Sequence, residues 1–353
     1  MSLEPFGWND ELDRDFAPLR EQGLVPGRVL VQQRGALVVQ TDEGERPGRP
    51  SGRLRHEAGR GGLPVAGDWV GVRPGAAGVL GTIEAVLPRH TAFVRKVAGD
   101  ESVEQVLAAN LDVAFAVAAL PDGLNVRRLE RLIALAWESG ATPVVVLTKR
   151  DLTTDLAGDI ATAEATAIGV PVHAISSKTG EGVDELRTYF EPNRTAALLG
   201  PSGVGKSSLV NRLLGVERQA VAEIREDGRG RHTTTHRELV ALPGGGLLLD
   251  TPGVRKLALW GGVESVEDAF GDISDLEAQC RFNDCAHETE PGCAVLAAVQ
   301  AGKLNEDRLE SYRKLVRELA YLERRRDARA QADEKRRWKQ LNKEMRGVSR
   351  TDR

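Results

Sequence analysis

The apolar residues of this chain fall into three successive rhythms. From about Leu24 to Lys96 they come in short runs, GRVLVQQ, ALVVQT, DWVGV and GTIEAVL, broken by clusters such as GERPGRPSG and GRGGLPVAG. Short β-rich runs at that spacing predict a small barrel or sandwich, and an OB-like β-barrel of five strands is the expected form. The runs then lengthen. LDVAFAVAAL is continuously apolar and stops at Pro121, Asp122 and Gly123, after which NVRRLERLIALAWES places Leu129, Leu132, Ile133 and Ala136 at helical spacing. TPVVVLTK, PVHAISS, AALLG and GLLLD read as further strands, with the helix-like TDLAGDIATAEATAIG between the first two. Buried strands alternating with helices predict a parallel sheet in an α/β domain over about 110–259. From Ala278 the periodicity lapses into QCRFNDCAHETEPGCAV, and beyond Asn305 a long charged helix carries Leu309, Tyr312, Leu315 and Leu319 on one face. The terminal GVSRTDR is expected to be disordered. Three units follow: a barrel over 1–100, an α/β domain over 101–262 and a helical C-terminal domain over 263–353.

Composition narrows the class. A chain of 353 residues exceeds one ordinary core, and 41% hydrophobic with 28% charged residues excludes wholesale disorder. No apolar run reaches the length of a membrane span. The start, MSLEPFGWNDELDRDF, is acidic where a secretory signal would be basic and then apolar, so a cytoplasmic monomer without membrane partners is expected. The net charge of −4 conceals an asymmetry: from Lys303 to Arg353 there are 17 Lys and Arg against 10 Asp and Glu. Arg28, Arg34, Arg53, Arg55, His56, Arg60, Arg73, Arg89, His90, Arg95 and Lys96 recur through the barrel. A basic barrel face and a basic tail suit nucleic-acid phosphate, and they also suit plain solubility.

The chemistry concentrates in a few short segments. Gly200, Pro201, Ser202, Gly203, Val204, Gly205, Lys206, Ser207 and Ser208 follow an apolar strand and open the helix-like SSLVNRLLG. Glycines allow the backbone N–H groups to converge on phosphates, Lys206 reaches the β- and γ-phosphates, and the Ser207 hydroxyl suits Mg²⁺. Thr148, Lys149, Arg150 and Asp151 close another buried strand. One carboxylate accepts both N1–H and N2–H₂ of guanine, a donor pair that adenine lacks, so Asp151 selects guanine and the Lys149 stem covers the base. Ser176, Ser177 and Lys178 end a further strand and suit a backbone N–H to the guanine O6. Asp250 and Gly253 in DTPG suit a Mg²⁺-bound water and the γ-phosphate. Among the threonines of GRGRHTTTHREL, Thr234 is the expected Mg²⁺ ligand when GTP is bound. Val254 stands where an attacking water needs an orienting group, so intrinsic hydrolysis should be slow. A P-loop kinase is disfavoured by Asp151, whereas a module that uses GTP only as a structural ligand stays open.

Cys280, Cys285, His287 and Cys293 bring all three cysteines together with one of six histidines. An odd cysteine count argues for metal ligation over disulfides. Three thiolates and an imidazole suit a closed, structural Zn²⁺ site.

Taken together, the motifs resemble those of translation-factor-class GTPases in circularly permuted order: base reader, second base loop, phosphate loop, first switch, second switch. With a barrel before them and a Cys/His module after them, the chain resembles the ribosome small subunit-dependent GTPase family, RsgA or YjeQ. GPSGVGKSSL, HTTT, DTPGV and the C-x4-C-x-H-x5-C spacing carry that resemblance over about 27–319. It implies hydrolysis of GTP to GDP and phosphate, stimulated by the ribosome, in late maturation of the 30S subunit, with binding to 16S rRNA. It also implies that His232 in the first switch is catalytic alongside Lys206. Thr148 departs from the family's usual Asn, which bears on the bracing between base reader and phosphate loop.

Overall fold

The computed structural model describes residues 2–33, 36–58, 62–75, 81–97, 100–121, 123–201, 203–215, 237–250, 270–282 and 285–317. Helix α1 (Asp10–Glu21) opens the chain. The Asn9 side chain accepts from Leu12 N, and Asp10, Glu11 and Asp13 complement the dipole of the first turn. Leu12 and Phe16 pack this helix against Leu24, Trp69 and Leu87.

A five-stranded barrel follows: β1 (Val25–Gln33), β2 (Ala36–Thr41), β3 (Gly44–Pro50), β4 (Trp69–Arg73) and β5 (Gly81–Val86), with the short helix α2 (Gly52–Glu57) between β3 and β4. The pairing runs β1-β2-β3-β5-β4, and β4 pairs back onto β1 from Val25↔Val72 to Arg28↔Trp69, which closes the barrel. Val29, Leu37, Val39, Val70, Val72 and Ile83 fill it. A hairpin of β6 (Ala92–Val97) and β7 (Asp100–Ala109) leads out of the barrel.

The second layer system is an α/β sheet. Its strands are β8 (Val113–Ala119), β9 (Thr142–Thr148), β10 (Val172–Ala174), β11 (Thr195–Leu199), β12 (Arg237–Ala241) and β13 (Leu247–Asp250). The order is β10-β9-β8-β11-β13-β12, parallel from β10 to β13, with β12 antiparallel at the edge. Both faces are buried, as the continuous apolar runs require. Ala114 and Ala116 face α3 (Val126–Glu138), whereas Val113, Phe115 and Val117 share a core with Leu209, Val210 and Leu213 of α5 (Lys206–Leu214). Helix α4 (Leu156–Thr166) crosses from β9 to β10. The segment DELRTYF between β10 and β11 forms a 3-10 helix over Asp184–Phe190.

β1 belongs to both systems: its second half pairs with β12 at Val31↔Glu238 and Gln32↔Arg237. Arg28 pins the same junction. Its guanidinium donates to Asn110 O at 3.0 Å and Thr195 Oγ1 at 2.9 Å and lies 4.9 Å from the Trp69 ring centre. Burial lowers its pKa to about 10, which leaves it charged at neutral pH. Arg89 is likewise inward, bidentate to the fully buried Asp68 at 2.7 and 2.8 Å. Both therefore leave the expected basic face, because each has a buried partner that the strand pattern could not reveal. Arg34 and Arg60 lie outside the described residues, as do the side chains of Arg95 and Lys96. Arg53, Arg55 and His56 on α2 are exposed, as is Arg49 on β3.

The C-terminal module comprises α6 (Gly271–Glu277), α7 (Ala294–Gln300) and α8 over 306–317. Phe270, Ile273, Val295, Leu309, Tyr312 and Leu315 join the core on the α3 side of the sheet. Arg308 locks this contact. It donates to Glu130 Oε1 on α3 at 3.1 Å, to Thr166 O on α4 at 3.0 Å, and to both Asp272 oxygens on α6 at 2.7 and 2.8 Å.

Candidate nucleotide site and metal centre

The sheet order reverses between β8 and β11, since the chain runs outward through β9 and β10 and then returns to the other side of β8. Ligands of open α/β sheets bind at the carboxyl ends of the strands beside such a switch point. The phosphate loop leaves β11 there, the base-reading segment leaves β9, and Asp250 ends β13 at the same sheet edge.

Backbone geometry shapes the loop. Gly200 has φ +148°, and a Cβ there would sit 2.6 Å from Val117 O, so only glycine lets β11 turn against β8. Gly205, at φ +93°, precedes α5, whose first residue is Lys206. Lys206 Nζ donates to Gly200 O at 2.7 Å and Pro201 O at 2.5 Å, drawing the ammonium across the loop. Ser207 and Ser208 sit half-buried in the first turn, where the helix N-terminus favours an anion.

Thr148 is 1% exposed and lies against this loop. Its hydroxyl is 2.5 Å from Val204 O and 3.2 Å from Ala118 O. The threonine hydroxyl thus ties β9, β8 and the loop between β11 and α5 at one point. Lys149 has φ +62° and starts the 3-10 turn that presents Asp151 at the surface. Arg150 faces sideways, to Ala174 O at 3.1 Å and Glu181 at 2.8 Å, and so holds the two base loops together.

The second base loop is closed on itself. Ser176 Oγ accepts from Thr179 N, Gly180 N donates to Ser176 O, and Ser176 N donates to Glu181 O. Lys178 is exposed, and the Ser177 hydroxyl is buried without a hydrogen-bond partner among the described residues. Arg212 of α5 donates to Thr179 O at 3.3 Å and joins this loop to the phosphate-loop helix. Sequence reading missed Arg212 because its partner lies 33 residues away. Ser202, His232, Thr234, Gly253 and Val254 lie outside the described residues, as does the side chain of Asp250.

The metal cluster is assembled as expected. One ligand atom from each of Cys280, Cys285, His287 and Cys293 lies within 4.8 Å of the others. A tetrahedral ion with Zn–S of about 2.3 Å and Zn–N of about 2.05 Å requires S···S of about 3.8 Å and S···N of about 3.5 Å. Here Cys280 and Cys293 sulfurs are 3.9 Å apart, and His287 Nδ1 is 3.4 Å from Cys293 and 3.7 Å from Cys280. Burial and the two neighbouring thiols push Cys285 up to about 11, a crowding that a bound cation relieves. The residues fit a thiophilic tetrahedral ion. Behind them, Glu277 stands on the far nitrogen of His287, a contact that the sequence signalled only as an acidic residue one turn before the first cysteine.

Known proteins agree with this architecture. The family model described as RsgA GTPase matches residues 86–260. A small ribosomal subunit biogenesis GTPase RsgA of Opitutus terrae is 46% identical, covering 100% of this chain and 99% of that protein. The crystal structure of YjeQ from Thermotoga maritima aligns with a TM-score of 0.65 at 28% identity, covering 84% of this chain and 99% of its own. The structure of YloQ, a circularly permuted GTPase, shares the fold at 24% identity with a TM-score of 0.61, over 84% of this chain and 95% of that one. On these grounds the chain belongs to the RsgA GTPase family.

Proposed function

We propose that this GTPase acts in late maturation of the 30S ribosomal subunit, binds 16S rRNA, and uses hydrolysis of GTP to GDP and phosphate to leave the subunit. The convergence of phosphate loop and base loops at the β8/β11 switch point, bridged by Thr148 to Val204, carries the nucleotide half of this reading. The names of its relatives support the ribosomal half. The exposed Arg49, Arg53, Arg55 and His56 on the barrel and the excess of cations beyond Lys303 supply charge for RNA phosphate.

In this reading Asp151 pairs with N1–H and N2–H₂ of guanine, Lys149 covers the base, and the loop at Ser176, Ser177 and Lys178 supplies a backbone donor to O6. The loop from Gly200 to Gly205 gives its N–H groups to the phosphates. Lys206 turns from its loop carbonyls to the β- and γ-phosphates. Ser207 and Thr234 would hold Mg²⁺ and Asp250 its water, and the bound ion would neutralise phosphate charge. Gly253 contacts the γ-phosphate. With the ribosome bound, His232 orients the attacking water that Val254 cannot. One structural Zn²⁺ occupies Cys280, Cys285, His287 and Cys293. The protein works as a cytoplasmic monomer in three units, with boundaries near residues 100 and 262. Among the described residues no helix is long and apolar enough to cross a membrane.

Co-sedimentation with purified 30S subunits tests the partner. Binding with a non-hydrolysable GTP analogue and weaker binding with GDP is expected. Equal binding in both nucleotide states would contradict a release role for hydrolysis. The double variant R53E/R55E should weaken binding and flatten its salt dependence, since each lost phosphate contact removes about 0.7–0.9 from the log–log slope.

A further inference from the structure

One carboxylate of the C-terminal module, Glu277, stands directly behind the cysteine–histidine cluster without being one of its four ligands. His287 is 4% exposed, and its Nδ1 faces the Cys280 and Cys293 sulfurs. A metal at that nitrogen needs its lone pair, so the ring proton must reside on Nε2. Nε2 lies 2.6 Å from Glu277 Oε1, and the same oxygen is 2.7 Å from the Tyr312 hydroxyl. One carboxylate oxygen thus accepts two hydrogens from two elements: the metal-bearing loop and helix α8. His287 adopts φ +57°, a left-handed backbone that fixes where its ring can reach.

We propose that Glu277 is the positioning residue of the metal centre, and that through Tyr312 it couples metal occupancy to the docking of α8 on the GTPase domain. Its carboxylate fixes the Nε2–H tautomer of His287 and raises the basicity of the metal-facing nitrogen, the role outer-shell carboxylates play behind ligating histidines. Tyr312 lies one helical turn beyond Arg308, which grips Glu130 on α3, Thr166 on α4 and Asp272 on α6. Phe270 closes the path, 5.5 Å from the Tyr312 ring and 4.7 Å beneath the Arg308 guanidinium. A loaded metal holds His287, which holds Glu277, which holds the face of α8 that grips α3 and α4. Coupling of this kind is reciprocal: loosening α8 must weaken metal binding by the factor by which metal tightens α8.

The inference rests on the reading that the cluster holds zinc. The test is zinc affinity of the full chain by competition with a chromogenic chelator, together with the visible absorption of the Co²⁺-loaded protein. Wild type should bind one equivalent. Glu277→Ala should bind zinc about 10- to 100-fold more weakly and shift the Co²⁺ spectrum. Glu277→Gln keeps an oxygen that accepts both hydrogens, so it should retain the spectrum and lose less affinity. Tyr312→Phe should lose affinity with the Co²⁺ spectrum unchanged, because the histidine keeps its carboxylate. Wild-type affinity and spectrum in Glu277→Ala would overturn the proposal, as would wild-type affinity and spectrum in Glu277→Leu, which fills the space without an acceptor and would indicate packing alone. A wild type that binds no equivalent of metal would instead remove the zinc reading, and the proposal with it.

Discussion

Replacing Thr148 by Val isolates the hydrogen bond that joins β9 to the loop between β11 and α5. Valine preserves the volume of a residue that is 1% exposed and withdraws only the hydroxyl, which bridges to Val204 O at 2.5 Å. One hydrogen serves one acceptor, so the shorter contact carries the bond and Ala118 O at 3.2 Å is secondary. Losing a buried hydrogen bond and leaving its carbonyl unmet costs about 1–3 kcal/mol. Val204 sits inside the phosphate loop, so the cost falls on the ordered loop conformation that a nucleotide requires. If all of it appears in binding, GDP affinity falls about 5- to 150-fold. Thr148→Ser keeps the hydroxyl and should stay within about threefold of wild type, a difference below 1 kcal/mol. Titration with a fluorescent guanine nucleotide reads both variants. Wild-type affinity in Thr148→Val, or an equal loss in Thr148→Ser, would refute the bracing role.

Other variants probe the remaining joints. Arg308→Met should destabilise the chain by about 3–5 kcal/mol in urea unfolding, because it leaves Glu130 buried without its cation. Burial raises the Glu130 pKa, with Ser311 and Arg308 lowering it in part, so the folded chain keeps that proton to higher pH than the unfolded chain. The associated stability is present below the unfolded carboxylate pKa of about 4.3 and declines as pH rises through the folded value. Glu130→Gln should flatten that decline, and urea midpoints measured on both sides of it provide the check. Asp151→Asn should weaken GTP binding more than tenfold, since a charged acceptor for two donors is worth about 1.5–3 kcal/mol per bond, and should strengthen binding of xanthosine triphosphate, whose C2 carbonyl accepts from the Asn amide. His232→Ala should abolish subunit-stimulated turnover and leave GTP affinity unchanged, read by parallel turnover and titration.

What the sequence disclosed depended on range. The phosphate loop and the cysteine–histidine cluster were legible because their geometry is set within eight and fourteen residues, by glycine conformations and ligand spacing. The barrel and the parallel sheet followed from periodicity, since β8, β9 and β11 are buried on both faces and read as unbroken apolar runs. Long-range polar partners were illegible. Arg28 and Arg89 look like surface cations in a strand pattern, and only the fold brings Thr195, Asn110 and Asp68 to them. Glu277 and Arg308 escaped notice for the same reason: their partners arrive from 10 to 178 residues away. Thr148 departs from the Asn of the family pattern, and only the fold shows that its hydroxyl reaches Val204 O.

The most direct test of the whole account is GTP turnover by the purified chain alone, with 30S subunits and with 50S subunits. Slow turnover alone, strong acceleration by 30S and none by 50S is the predicted result. Equal rates in all three would contradict the ribosomal role while leaving the nucleotide site in place.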